Sequence, residues 1–523
     1  MQDSDVIVIG SGIGGLCAAG LLARYGKRVI VCESHTIPGG AAHNFRRRGF
    51  EFDSGPSFYC GLTDAQSLNP LKQVLDVLGE SLEAIRYDPL GHYHFPEGTF
   101  AVYSNTELYR QEVAKITLKG ATELEQFTHR LLPLYEAMKG IPSLALRADW
   151  QMFPVLLRHY LPSLWKMLPH LSLVRASVGD VMNATVQDSW VRRLIDLECF
   201  LLSGLKAHGT IAPEVAFMLG ERSRAGVEYP IGGSGAIVNA LVRGLERWGG
   251  KLLLGCHIEQ ILVEAGKVVG VRLGKKDKGT RGGGDTGNDI SASSILKAPI
   301  VISNASIWDT YTKLLHPEEL PASYRQAALA TPAVDSFMHL HLGIRADGLE
   351  NLTGHHVVVH DSSEDITTPG NTCMISIPSV WDATLAPKGH HVVHAYTLEH
   401  YAGWERNQEY EQKKQQKAET LYRALEKIIP DLRQRIVLEL IGTPLTHAYY
   451  LRRYHGSYGP AIAAGKGMFP GPNTPIQGLY RVGDSTMPGI GVPAVAASGI
   501  LCANILVSPK VTVDLLENTK RAY

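Results

Sequence analysis

Asp5-Val6-Ile7-Val8-Ile9-Gly10-Ser11-Gly12-Ile13-Gly14-Gly15 begins a unit that runs on to Cys32-Glu33. Val6 to Ile9 is an unbroken apolar run, as expected of a parallel strand buried on both faces. Gly10 permits a tight turn, Gly12 lets backbone approach a diphosphate, and Gly15 lets the next helix close on the strand, with Gly14 beside it. Free N–H groups and the dipole at that helix N-terminus favour an anion. Arg28 to Val31 reads as the next strand. Glu33 follows where a carboxylate accepts hydrogen bonds from ribose hydroxyls and repels a 2′-phosphate, which disfavours NADP. The whole predicts a dinucleotide site. The competing reading is a glycine turn in an ordinary βαβ unit.

Downstream segments decide which dinucleotide. Pro38-Gly39-Gly40 adds a glycine pair just after the acid. Near the other end, Gly478-Leu479-Tyr480-Arg481-Val482-Gly483-Asp484-Ser485 places Gly-Asp after a small apolar strand. Gly489, Gly491, Val492 and a small-residue helix over Ala494 to Ala503 follow. Asp484 would hold ribityl or pyrophosphate oxygens, and the helix would aim its N-terminus at a flavin ring. A plain turn is the competing reading for Gly483-Asp484. Ile258, in the strand-like run His257 to Val263, is a further cofactor-contact candidate. Nucleotide chemistry at both ends of one chain points to FAD rather than NAD.

Composition narrows the rest. With 523 residues, 45% of them hydrophobic, the chain can bury a large core and form two or three domains. Its formal net charge of +0 argues against nucleic acid as a partner. The 7 cysteines show no regular spacing and read as reduced core residues of a protein that is not secreted. No metal site is expected: in His355-His356 and His390-His391 neighbouring side chains point to opposite faces of a strand. No signal peptide is read before the first strand, and no run is apolar enough to span a bilayer.

Five segments follow from the pattern. Residues 1–70 form a first part of the cofactor domain, 71–224 a mainly helical region, and 225–305 a second part of the cofactor domain. The second part includes a meander over Lys251 to Gly255, His257 to Val263 and Lys267 to Leu273. Residues 306–440 form a substrate sheet, and 441–523 return to the cofactor domain. A Gly-, Lys- and Asp-rich insertion over 274–297 is predicted to be a mobile surface loop. Between Trp150 and Gly179 there is no Asp or Glu, while Arg158, Lys166 and Arg175 are interleaved with Leu, Phe, Met and Trp. Such a segment lies in a membrane interface or caps an apolar cavity, and both imply an apolar substrate.

The chain resembles the carotenoid isomerases (prolycopene isomerases) of the phytoene desaturase and retinol saturase group. The matching residues include Gly49-Phe50-Glu51-Phe52-Asp53-Ser54-Gly55, Asp196-Leu197-Glu198-Cys199-Phe200, Tyr229-Pro230-Ile231-Gly232-Gly233 and Ile302-Ser303-Asn304-Ala305. Thr446-His447, Tyr458-Gly459-Pro460 and Gly483-Asp484-Ser485 continue the match. The resemblance implies an α/β fold: a Rossmann-type FAD-binding domain of the amine-oxidase-like (GR2) kind, an inserted α+β substrate domain, and a helical, membrane-docking subdomain. It implies a carotenoid or other long isoprenoid as substrate. The place is a plastid, at the stroma or thylakoid membrane surface, or a bacterial cytoplasm, with peripheral membrane contact. The expected reaction is redox-neutral cis–trans isomerisation using reduced flavin. The alternatives are a desaturase or saturase, a flavin-assisted hydratase, and a non-catalytic pigment-binding flavoprotein. Glu198 and His447 are the candidate proton donors, with a structural ion pair as the competing reading for Glu198.

Overall fold

A computed structural model describes residues 4–274 and 294–522. Most of the 274–297 insertion therefore lies outside the described residues. At the centre of the cofactor domain is a five-stranded parallel sheet. Its order is Leu479–Arg481, Ile300–Ser303, Val6–Ile9, Val29–Cys32 and Lys251–Leu253. Val6–Ile9 pairs with Ile300–Ser303, which pairs with Leu479–Arg481, so the domain is assembled from both ends of the chain. Val6, Ile7 and Val8 are fully buried, as their unbroken apolar run requires.

Two helices cover the strand–turn–helix motif. Ile13–Arg24 packs against Val492–Ile505, and the crossing is close because both carry glycine at the contact. A Cβ on Gly14 would lie 2.9 Å from the Gly483 amide nitrogen, and one on Gly499 would lie 2.8 Å from the Gly14 carbonyl. Pro70–Leu78 also packs here rather than with the helical region.

Lys251–Leu253 corrects one expectation. It does not join the meander but forms the edge of the parallel sheet beside Val29–Cys32. The meander is made by Ile258–Glu264, Lys267–Leu273 and Ile295–Lys297 instead. The seven-stranded substrate sheet holds the second difference. Its order is Ile436–Gly442, Ser336–Arg345, His390–Glu399, Thr372–Ser376, His355–Val359, Gly91–Phe95 and Gly98–Val102. The last two strands come from the stretch read as mainly helical. They join through parallel pairing of His356 with His92.

One face of the substrate sheet presents Met338, Leu340, Leu342 and Ile344 to the helix Tyr410–Glu426, in a core with Leu421 and Leu425. The other face presents Phe337, His339 and His341, two residues apart and so on one side of the strand. The hairpin Asn44–Arg47 and Phe50–Asp53 lies against that second face: Phe45 and Phe52 meet the His341 ring edge-on at 5.2 and 5.4 Å. Buried Asp53 ties the hairpin to the cofactor domain, accepting hydrogen bonds from Tyr229 Oη at 2.7 Å, Ser234 N at 2.8 Å and Ser234 Oγ at 2.6 Å.

The basic, acid-free stretch folds into short helices, Met152–His159, Leu161–Met167 and Leu171–Val174, broken where Pro162 and Pro169 open new turns. Val155, Leu156 and Tyr160 face inward, whereas Trp150 (73% exposed), Phe153 (70%) and Trp165 (65%) face out, with Leu157, Leu168 and Leu171. Among the described residues no helix is long and apolar enough to cross a membrane.

Candidate functional site

A cavity of about 650 Å³, within the range of ligand sites, runs between the glycine motifs and the substrate sheet. Gly10, Gly12, Gly14, Glu33, Gly39, Gly40, Ile258, Gly483, Asp484, Gly491 and Val492 all line it. Of the cofactor candidates only Gly15 does not. A Cβ there would stand 2.4 Å from the Gly10 carbonyl, so Gly15 sets the approach of helix to strand behind the site.

Bare backbone forms the cradle. Gly10 holds φ +92° while its N–H bonds to the Cys32 carbonyl at 2.8 Å. Gly39 at φ +115° and Gly491 at φ +105° adopt the left-handed half of conformational space open to glycine. Gly491 precedes Val492–Ile505, so two helix N-termini border the cavity, this one and that of Ile13–Arg24. Both favour negative charge.

Acid groups flank the cradle. Glu33, 8% exposed, accepts from Ser11 N at 2.8 Å, Ser11 Oγ at 2.7 Å and His35 N at 2.7 Å. These bonds fix the carboxylate at the cavity edge, at the end of Val29–Cys32. Asp484 is ion-paired with Arg453, whose Nε also donates to the Ser457 carbonyl at 2.6 Å. Bare glycines, two helix N-termini and two separated carboxylates fit a flavin dinucleotide. A bound dinucleotide would meet Glu33 with its ribose hydroxyls, and Asp484 with Arg453 with its ribityl or pyrophosphate region.

The sequence reading assigned no role to Arg453 or Asn304. Asn304 lines the cavity, and a Cβ on Gly12 would meet its Nδ2 at 2.5 Å. The loop after Ile300–Ser303 therefore fills the space the glycines leave. Its signal was present in Ile302-Ser303-Asn304-Ala305 but had no spacing rule to interpret it.

The two proton-donor candidates separate. Glu198 lies on Ser189–Ser203 and is absent from the cavity lining, although Phe200, Leu201 and Leu202 of the same helix form part of the wall. Its carboxylate accepts from Tyr109 Oη at 3.0 Å and faces Arg222 Nη1 at 3.5 Å, so it sits in a buried structural ion pair. Helical rotation turns Glu198 away from the cavity while presenting its apolar neighbours, which is the ion-pair arrangement that competed with the donor reading. His447, on Pro444–Tyr450, does line the cavity. Burial pushes its imidazole down to about 3, so it is neutral near pH 7.

His447 belongs to a larger cluster. Its ring stacks on His339 at 4.1 Å, and His341 stacks on His394 at 4.3 Å. His341 and His394 are cross-strand partners. Burial holds His339 and His394 well below the usual imidazole range and brings His341 to about 4. His339, His341 and His394 have ligand atoms within 4.8 Å of one another. Their rings lie 6° to 16° from parallel, however. His341 lies face to face on His394, so those two rings offer no shared in-plane point for a metal, whereas His339 and His394 meet edge to edge, Nδ1 to Nε2 at 2.9 Å. The cluster is an array of neutral imidazoles, part stacked and part hydrogen-bonded, beneath a cavity wall of Phe337, Met374, Tyr396 and Tyr458.

Comparison with known proteins agrees with this geometry. The sequence matches the family "Flavin containing amine oxidoreductase" over residues 13–507. The chloroplastic prolycopene isomerase of Daucus carota is 35% identical, covering 96% of this chain and 80% of its own length. A neurosporene-forming phytoene desaturase of Cereibacter sphaeroides is 27% identical, covering 96% and 95%. A putrescine oxidase variant shares the fold at TM-score 0.61 and 14% identity, covering 99% of both chains. The chain belongs to the flavin containing amine oxidoreductases and, within them, to the prolycopene isomerase family.

Proposed function

We propose that this protein is an FAD-dependent cis–trans isomerase of a carotenoid or similar long polyene, working without net oxidation or reduction. The observation that carries the reading is the cavity itself. One end is a dinucleotide cradle, and the other is walled by Phe200, Leu201, Leu202, Phe337, Met374, Tyr396 and Tyr458. All seven of these side chains are apolar or aromatic, so they suit an apolar chain. Reduced FAD, when bound, supplies electrons that lower the order of one double bond and takes them back after rotation. The residues hold the polyene, exclude water and place a proton. Relatedness to prolycopene isomerases supports isomerisation, and the desaturase relative keeps net redox chemistry as the alternative.

The test is anaerobic incubation of photoreduced enzyme with prolycopene, followed by chromatography and mass analysis. An isomer of unchanged mass is expected. A product lighter or heavier by two hydrogens would replace this reading with a desaturase or saturase, and an added water would replace it with a hydratase.

The substrate is taken up from an anionic membrane surface, most simply that of a plastid, through the short helices of residues 150–175. Exposed Trp150, Phe153 and Trp165 supply insertion, while exposed Arg158, Lys166 and Arg175 face headgroups. Vesicles containing anionic lipid should sediment the protein, and replacing the three aromatic residues with serine should weaken this at least tenfold with flavin content unchanged. Equal sedimentation of the triple variant would exclude this surface.

A further inference from the structure

We propose that Tyr458 is the proton donor and acceptor of the isomerisation, and that His339 and His394 behind it form a relay that holds its charge. The inference rests on the isomerase reading above and names the group that reading leaves open.

Tyr458 reaches the cavity from the flavin side of the molecule. The next residue, Gly459 at φ +129°, packs so closely that a Cβ there would lie 3.4 Å from the Asp484 Cβ and 2.9 Å from Ile490. The Tyr458 ring meets Phe337 edge-on at 4.5 Å and stacks near His447 at 5.7 Å. Its hydroxyl lies 3.3 Å from His339 Nε2. His339 Nδ1 in turn lies 2.9 Å from His394 Nε2. The line ends at His394 Nδ1, buried with no hydrogen-bond partner.

Proton counting selects one arrangement of this line. Each neutral imidazole carries one N–H. If His339 donates to His394, the proton of His394 must sit on Nδ1, a buried N–H with no acceptor. If His394 donates to His339, Nδ1 of His394 is only a bare lone pair, and the His339 proton sits on Nε2 and points at Tyr458. Orphaned buried donors are rarer than under-satisfied acceptors, which favours the second arrangement. There the Tyr458 oxygen accepts from His339, and its own proton is free to point into the cavity.

That arrangement suits a reversible hydrogen addition. Bound reduced flavin would supply hydride to one polyene carbon and accept it back. Tyr458 would give the phenol proton to the double-bond neighbour, so that two C–H bonds replace the π bond and the negative charge rests on the Tyr458 oxygen, facing His339 Nε2–H. After rotation about the resulting single bond, Tyr458 would take a proton back as the double bond reforms. No outside oxidant or reductant is consumed. The burial that keeps the four imidazoles neutral leaves a donor, rather than a fixed cation, opposite the oxygen. His339 and His394 are positioning residues: they act on the substrate only through Tyr458.

The experiment uses photoreduced holoenzyme and prolycopene in deuterium oxide. Wild-type product should gain deuterium. Tyr458→Phe should lower turnover at least 100-fold at unchanged flavin content. His339→Gln, whose amide can still donate to the phenol oxygen, should retain at least tenfold more activity than His339→Leu. A Tyr458→Phe enzyme within threefold of wild type would overturn the proposal, as would equal activity of the two His339 variants. A separate readout needs no turnover. With ¹⁵N-labelled histidine, the ring signal lost in His339→Gln should show protonation at Nε2, and protonation at Nδ1 would overturn the relay. If wild type instead forms a product changed by two hydrogens, the isomerase reading fails, while the nitrogen spectrum still decides the relay.

Discussion

The glycine cradle and the histidine-backed wall border the same cavity but are built by different means. In the cradle the working groups are backbone amides, and side chains are excluded: a Cβ at Gly12, Gly14 or Gly15 would stand 2.5, 2.9 or 2.4 Å from its nearest neighbour. In the wall the working groups are side chains from several elements, stacked ring on ring, with His447 brought to His339 at 4.1 Å by a separate helix. The cradle should therefore break when anything is added, and the wall when a proton is added or a ring removed.

The largest effect is expected in the cradle. Gly15→Val puts its Cβ 2.4 Å from the Gly10 carbonyl, backbone that cannot yield without opening the turn, with the Asn304 side chain at 3.2 Å beside it. The purified variant should be colourless and fail to regain flavin absorbance on incubation with excess FAD. Gly471→Ala is the matching control, since a Cβ there meets nothing within 4 Å, and it should stay yellow. A yellow Gly15→Val protein would show that the cradle tolerates what its geometry forbids.

Second in size is a change that separates the wall from its support. Glu198→Gln keeps a partner for Tyr109 but leaves the buried Arg222 without its counter-charge. Removing one member of a buried pair costs about 3–5 kcal/mol. The urea midpoint should fall accordingly, while turnover per bound flavin stays near wild type because the carboxylate does not reach the cavity. Intact stability with lost turnover would restore Glu198 as a catalytic residue.

The two regions also differ in how far a linear reading reaches them. The cradle was legible because its glycines, strand and acid lie within some thirty consecutive residues, and backbone geometry alone explains their spacing. The wall carried a local signal as well. His339-Leu340-His341 puts two imidazoles on one face by the period of a strand, but attention to adjacent pairs such as His355-His356 passes over it. His394 could not be added without the register that sets it opposite His341, nor His447 without the packing of its helix. The same limit explains Lys251–Leu253 and Gly91–Phe95. Each has strand character, but tertiary pairing decides which sheet it enters.

The smallest effect per residue is electrostatic and belongs to the substrate sheet and its stacked imidazoles. Burial lowers His341 to about 4, and His447, His355 and His356 to about 3, from an ordinary value of 6.5. Below pH 6.5 the unfolded chain takes up protons at these positions and the native protein does not. Stability is therefore fully present above about pH 6.5 and falls as pH drops toward 4, by up to about 1.4 kcal/mol per pH unit for each such histidine. Urea midpoints should be flat between pH 7 and 8 and decline below 6.5. His341→Asn cannot titrate, so its slope in that window should be shallower by one proton, whatever its absolute stability. An unchanged slope would mean that His341 is already charged in the native protein, and with His394 stacked on it the neutral array would then be lost.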